Sequence, residues 1–275
     1  MTLWESFLLG LIQGLTEFLP VSSSGHLTLF GAWLGVSGGE GDPYRFFVVA
    51  THFGTLLAIL LYYRRDLATL IGAFFRTLGR GMRPLEQDIS RLKLIGIIVA
   101  GTIPAVIVGL TLDDTLERLF TEPLPAAIFL GVTGFILLST RWTGPKASGE
   151  VGWRSGLLTG VAQAIAILPG ISRSGSTISM ALAMGIDRKE AARFAFLLAI
   201  PALVGAALFD TLKIESLASV NWPVIILGAA TAFVSGYFAL VWLIRLLAKQ
   251  SFWKFAIYCW AASALALVMI ATGNL

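Results

Sequence analysis

Residues 10–25 read "GLIQGLTEFLPVSSSG" and residues 160–175 read "GVAQAIAILPGISRSG". Shifted by 150 positions the two stretches match at Gly10/Gly160, Gln13/Gln163, Ser22/Ser172, Ser24/Ser174 and Gly25/Gly175. Each runs from an apolar segment into proline, glycine and serine, then into another apolar segment. Proline removes a backbone donor, and glycine and serine favour turns, so each centre interrupts a helix. The reading is two helix–loop–helix hairpins, at about 6–36 and about 155–186.

The flanking composition says where these hairpins lie. The 275 residues are 56% hydrophobic and 13% charged, with mean hydropathy +0.82. Soluble domains are about 25% charged, so this is an integral membrane protein. The net charge of +4 points to nucleic acid only until the basic residues are placed. Cys259 is the single cysteine, so no intrachain disulfide is possible. The first 44 residues contain no Lys or Arg, so a cleaved signal peptide is not expected.

A spanning helix needs about 20 mainly apolar residues. Such runs occur at about 46–63, 94–112, 124–140, 194–209, 222–244 and 255–272. Segment 64–93 carries seven basic residues against Asp66, Glu86 and Asp88, which makes it cytoplasmic. Segment 111–123 carries Asp113, Asp114, Glu117 and Glu122 against Arg118 and belongs outside. The loops with Arg141, Lys146 and Arg154, and with Arg245, Lys249 and Lys254, fall inside only if neither hairpin crosses. Both hairpins are therefore re-entrant, the first from outside and the second from inside.

Each half then holds one hairpin and three spans, about 1–140 and about 151–272 of a single membrane domain. Three is odd, so the second half is inverted. "GTIPAVIVG" (101–109) likewise resembles "GAATAFVSG" (228–236). The expected fold is an all-α polytopic membrane protein with an inverted repeat, six transmembrane helices and two re-entrant helical hairpins. Inverted repeats with broken helices bring their polar centres together near the bilayer midplane.

New helices are expected to begin near Leu27 and near Ile178, and helix N-termini attract anions. Ser22, Ser24 and Gly25 on one loop, and Ser172, Ser174, Gly175 and Thr177 on the other, offer hydroxyls and close backbone approach for phosphate. Small residues alone also serve tight helix packing. Arg173, a planar cation in mid-membrane, favours the anion site. Glu17 is the other costly group. Gln13 and Glu17, four apart on one helical face, could offer oxygens to Mg²⁺ or Ca²⁺. Beside a diphosphate Glu17 should be metal-bound, paired with His26 or Arg173, or protonated; an ion pair that merely pins the halves is the structural alternative. His26 follows the first loop directly, whereas His52 reads as a packed polar group within a span. A phosphatidic-acid-type phosphatase would need a second histidine after the Ser-Arg element, and no histidine follows residue 52.

"QGLTEFLPVSSSGH" (13–26) and "PGISRSGST" (169–177) resemble the undecaprenyl-diphosphate phosphatase family linked to bacitracin resistance. The resemblance implies a hydrolase that converts the lipid carrier diphosphate to monophosphate and inorganic phosphate. Such an enzyme recycles the carrier for cell-wall synthesis from the bacterial cytoplasmic membrane, with its site open to the outer face. It also implies a divalent cation. The family's motifs fall on Gln13 and Glu17, on Ser22, Ser23 and His26, and on Ser172, Arg173, Ser174 and Thr177. On this reading Arg173 holds the terminal phosphate, Ser23 or a water attacks, and Glu17 and His26 handle protons. Ser23 is the favoured nucleophile because it lies three residues before His26. Expected partners are undecaprenyl diphosphate and membrane lipid, not nucleic acid, with a homodimer left open. The rival reading is a flippase of the polyprenyl phosphate carrier, because transporters share this architecture.

Overall fold

The computed structural model describes residues 1–36, 43–143, 150–213, 220–248 and 251–275. Lys146 and Lys249, counted above among the basic loop residues, lie outside them. The first half comprises α1 (Leu3–Phe18), α2 (Ser23–Trp33), α3 (Pro43–Tyr62), α4 (Arg64–Gly79), α5 (Glu86–Thr111), α6 (Asp113–Thr121) and α7 (Pro123–Ser139). The second comprises α8 (Trp153–Ile165), α9 (Arg173–Ala183), α10 (Arg188–Leu212), α11 (Trp222–Ala248) and α12 (Phe255–Ala271). Among the described residues six helices (α3, α5, α7, α10, α11 and α12) are long and apolar enough to span a membrane, in agreement with the six expected. Large side chains such as Phe135, Ile226 and Phe238 face outward from them, as lipid-facing residues do.

Two expectations need correction. Segments 64–93 and 111–123 are not plain loops, since they contain α4 and α6. Their charged residues break the apolar run but not the helical periodicity. The helices after the hairpin loops start at Ser23 and Arg173, not near Leu27 and Ile178. Ser22 and Ser172 act as N-caps, their hydroxyl oxygens accepting from Gly25 N at 3.3 Å and Gly175 N at 3.0 Å. Capping thus pulls the serines and Arg173 into the first turn.

The hairpins enter and leave on one side. Near the start of α1, Ser6 donates to Val224 O at 2.6 Å. Phe46 at the start of α3 stacks edge-on against Trp222, so both ends of the first hairpin sit beside the start of α11. After the second hairpin, Phe194 near the start of α10 shares one apolar cluster with Val151, just before α8.

The internal repeat is visible in packing. α1 lies against α11 and α8 lies against α5. A Cβ on Gly10 would fall on the backbone of Gly228, and one on Gly160 on the backbone of Gly101. The four glycines are repeat mates, so each hairpin makes the same backbone-to-backbone contact with the opposite half. The loops themselves also cross. Gly170 N donates to Ser22 Oγ at 3.1 Å and Ser174 Oγ donates to Leu19 O at 3.2 Å. Gly25 approaches Gly170 so closely that a Cβ would lie 2.9 Å from its Cα.

Candidate active site

Glu17 is the penultimate residue of α1, and its side chain is only 2% exposed. Such a burial is tolerable only with partners, and three donors supply them. Arg173 Nη2, from the first turn of α9, bonds Glu17 Oε1. On Oε2, Ser23 Oγ donates at 2.5 Å and Gln13 Nε2 at 3.0 Å. The Arg173 pair joins the two repeats through their polar centres, as the inverted-repeat reading expects.

His52 corrects the sequence reading. It does not merely pack within α3, because its Nε2 stands 3.7 Å from Glu17 Oε2. Its Nδ1 lies 2.9 Å from Val48 O. A carbonyl only accepts, so Nδ1 carries a proton and Nε2 faces the carboxylate.

His26 is placed differently from the spacing argument. Its Nδ1 is 2.8 Å from Ser22 O and its Nε2 is 2.8 Å from Tyr258 OH on α12, with the two rings parallel. Both ring nitrogens are therefore engaged away from Ser23. The side chain that accepts from Ser23 Oγ is Glu17.

The loop hydroxyls divide into two groups. Ser22 Oγ accepts from Gly25 N and Gly170 N and lies 3.2 Å from Ser24 Oγ. Ser172 Oγ accepts from Gly175 N and lies 3.2 Å from Ser174 Oγ. These residues knit the loops, and they take up the Gly25 and Gly175 amides at the helix starts. Ser22 holds this place at φ 67°, in the left-handed region where a side chain is strained. Ser23 and Arg173, by contrast, point their polar atoms at Glu17. Thr177 Oγ1 donates to Arg173 O at 2.7 Å, one turn along α9. Glu17, Arg173, Ser174, Thr177, Ile59 and Phe196 enclose a cavity of about 10 Å³, room for about one water.

Gln13 Oε1 is buried and unpartnered beside Glu17. Together these two fit one corner of a cation site. Among the described residues no three His, Cys, Asp or Glu side chains converge as a full metal cage would require. Sequence reasoning missed His52 and Tyr258. His52 had a signal, because an ionisable group in mid-span is functional by default. Tyr258, a tyrosine in an apolar helix, had none.

The sequence model described as "Bacitracin resistance protein BacA" matches residues 6–265. An "Undecaprenyl-diphosphatase" of Desulfosudis oleivorans is 44% identical, over 93% of this chain and 94% of that protein. A protein of the same name from Thermomicrobium roseum is 40% identical, over 98% of this chain and 99% of its own. Another from Alcanivorax borkumensis is 40% identical, over 93% and 94% of the two chains. The matched span contains both hairpins and all the residues gathered around Glu17. With nearly its whole length matched in this way, the chain belongs to the bacitracin resistance protein BacA family.

Proposed function

We propose that this chain is an undecaprenyl-diphosphatase, a membrane hydrolase that removes the terminal phosphate of undecaprenyl diphosphate. The relatives named above support the substrate. The observation that carries the chemistry is the Ser23–Glu17–Arg173 cluster, where a nucleophile, a base and a phosphate-binding cation meet at the junction of two helix starts. When the diphosphate enters, its terminal oxygens compete with Glu17 for the Arg173 fork, which suits two phosphate oxygens. Glu17, released from Arg173, accepts the proton of Ser23 Oγ as that oxygen bonds to the terminal phosphorus. The bond from that phosphorus to the bridging oxygen breaks, and undecaprenyl phosphate leaves with the electron pair. Water then attacks the phosphoserine, Ser23 regains a proton, and inorganic phosphate departs. His52, with its Nε2 facing Glu17, stays beside the carboxylate once Arg173 has turned to the substrate. His26, between Ser22 O and Tyr258, holds the strained loop that aims Ser23.

A divalent cation, Mg²⁺ or Ca²⁺, belongs to the same proposal. Gln13 Oε1 and Glu17 are the protein oxygens that would hold it, and it would screen the charge of the diphosphate. The basic segments around α4 support a cytoplasmic placement for that side, which opens the first hairpin to the outer face of the cytoplasmic membrane. The crossed hairpins also suit a flippase of the monophosphate carrier. One measurement separates the readings: purified protein in detergent, given undecaprenyl diphosphate, should release one phosphate per lipid. A folded protein that binds the lipid yet releases none would overturn the hydrolase.

A further inference from the structure

Helix α4 places no side chain against Glu17, yet its surface is sharply divided. Leu67, Ile71, Phe74, Phe75 and Leu78 recur at i, i+4, i+7, i+8 and i+11, forming one stripe. Ile71 (53%), Phe74 (45%), Phe75 (62%) and Leu78 (51%) are nevertheless exposed, and Met82 just beyond the helix is 69% exposed. A second, narrower face with Leu70, Ala73 and Thr77 is buried in the protein. Soluble surfaces do not leave phenylalanine and leucine in such a row.

The attachments of α4 fix how it runs. Asp66, in its first turn, accepts from Arg193 Nε at 2.6 Å, near the start of α10. Arg76, in its last turn, pairs with Asp88 at 2.7 Å, in the first turn of α5. Those turns are the ends of two different spans on the same side of the membrane. A helix tied at both ends to span termini on one side runs across that side rather than through the bilayer. Its stripe then lies level with the lipid-facing surface of α5, where Ile89 and Val99 are exposed.

Charge names the partner. The acids of segment 64–93 are largely consumed, Asp66 by Arg193 and Asp88 by Arg76 and Arg91. Among the described residues Arg65, Arg80 and Arg83 form no ion pair, and all three are exposed. Apolar residues on one face and unpaired arginines beside it are the pattern of a helix lying in an anionic interface. We propose that α4 is an in-plane helix that sinks its Ile71–Leu78 stripe into the leaflet on the basic side and holds anionic lipid headgroups with Arg65, Arg80 and Arg83.

The full chain with Cys259→Ala, spin-labelled at Phe75→Cys or at Arg80→Cys, would be reconstituted in phosphatidylcholine vesicles with and without phosphatidylglycerol. Collision with oxygen, which partitions into lipid, is compared with collision with a soluble nickel chelate. The oxygen-to-nickel ratio should be several-fold higher at position 75 than at 80, and should rise further with phosphatidylglycerol. Replacing Arg65, Arg80 and Arg83 by Gln should cancel that rise at position 75 while phosphate release persists, showing an intact fold. Water-like accessibility at both positions, or a depth indifferent to phosphatidylglycerol, would overturn the proposal. So would close label–label distances between copies with oxygen excluded at position 75, because a second copy would then cover the stripe.

Discussion

Glu17 shares one carboxylate between a cation, a hydroxyl and an amide, so each partner can be removed separately. Glu17→Gln keeps the shape but cannot accept the Ser23 proton, and turnover should fall by about 10²-fold or more. Arg173→Lys keeps the charge and loses the fork, with an expected cost of roughly 10²–10³ in kcat, as for a lost oxyanion donor. Steady-state phosphate release checks both; a fully active Arg173→Lys enzyme would reduce the pair to a tie between repeats. His52→Gln should lower kcat about tenfold, within the range typical of residues that orient a site's reacting groups. An unchanged rate would return His52 to the role of packing residue that the sequence suggests. Gln13, Glu17, Ser23 and Arg173 were legible because each is a polar group inside an apolar run. The His26–Ser23 pairing was not, because three residues of spacing do not decide which way a ring turns. Its partner Tyr258 lies 232 residues away.

At the scale of elements, the glycine contacts hold the hairpins against the opposite half. A Cβ on Gly10 would lie 2.5 Å from Gly228 O, a backbone atom that cannot swing aside, whereas a Cβ on Gly109 meets nothing within 4 Å. Gly10→Val should therefore destabilise by about 1–3 kcal/mol through overpacking, and Gly109→Val should be close to silent. Thermal unfolding in detergent compares them; equal melting temperatures would mean that α1 moves off α11 without cost. The spans were legible because about 20 apolar residues leave few alternatives to a crossing helix. α4 and α6 were not, since hydropathy averages away a stripe on a charged helix. The starts of α2 and α9 were read several residues late because serine and glycine suggest a loop, while the same serines serve as caps.

For the whole molecule, the pairing of element ends divides the protein into two sides. Arg45 at the start of α3 binds Glu117 of α6 at 2.8 Å and Asp210 near the end of α10 at 3.3 Å, and Lys213 pairs with Asp113. On the opposite side Arg141, after α7, stacks over Trp253 in the turn before α12 at 5.1 Å. Asp66–Arg193 and Arg76–Asp88 lie with them, at the starts of α10 and α5. Such surface pairs contribute little stability individually, but they record which ends share a face, and they agree with two hairpins that do not cross. On the proposed orientation the excess of arginine around α4 puts that face in the cytoplasm. Arg80→Cys and Asp114→Cys, each exposed and each made with Cys259→Ala, place one thiol on either side. An impermeant thiol reagent added to intact cells should label position 114 and spare position 80 until the membrane is opened. Labelling of both in intact cells would mean that a hairpin crosses, and the Ser23–Glu17–Arg173 junction would then lose the symmetry that brings its two halves together.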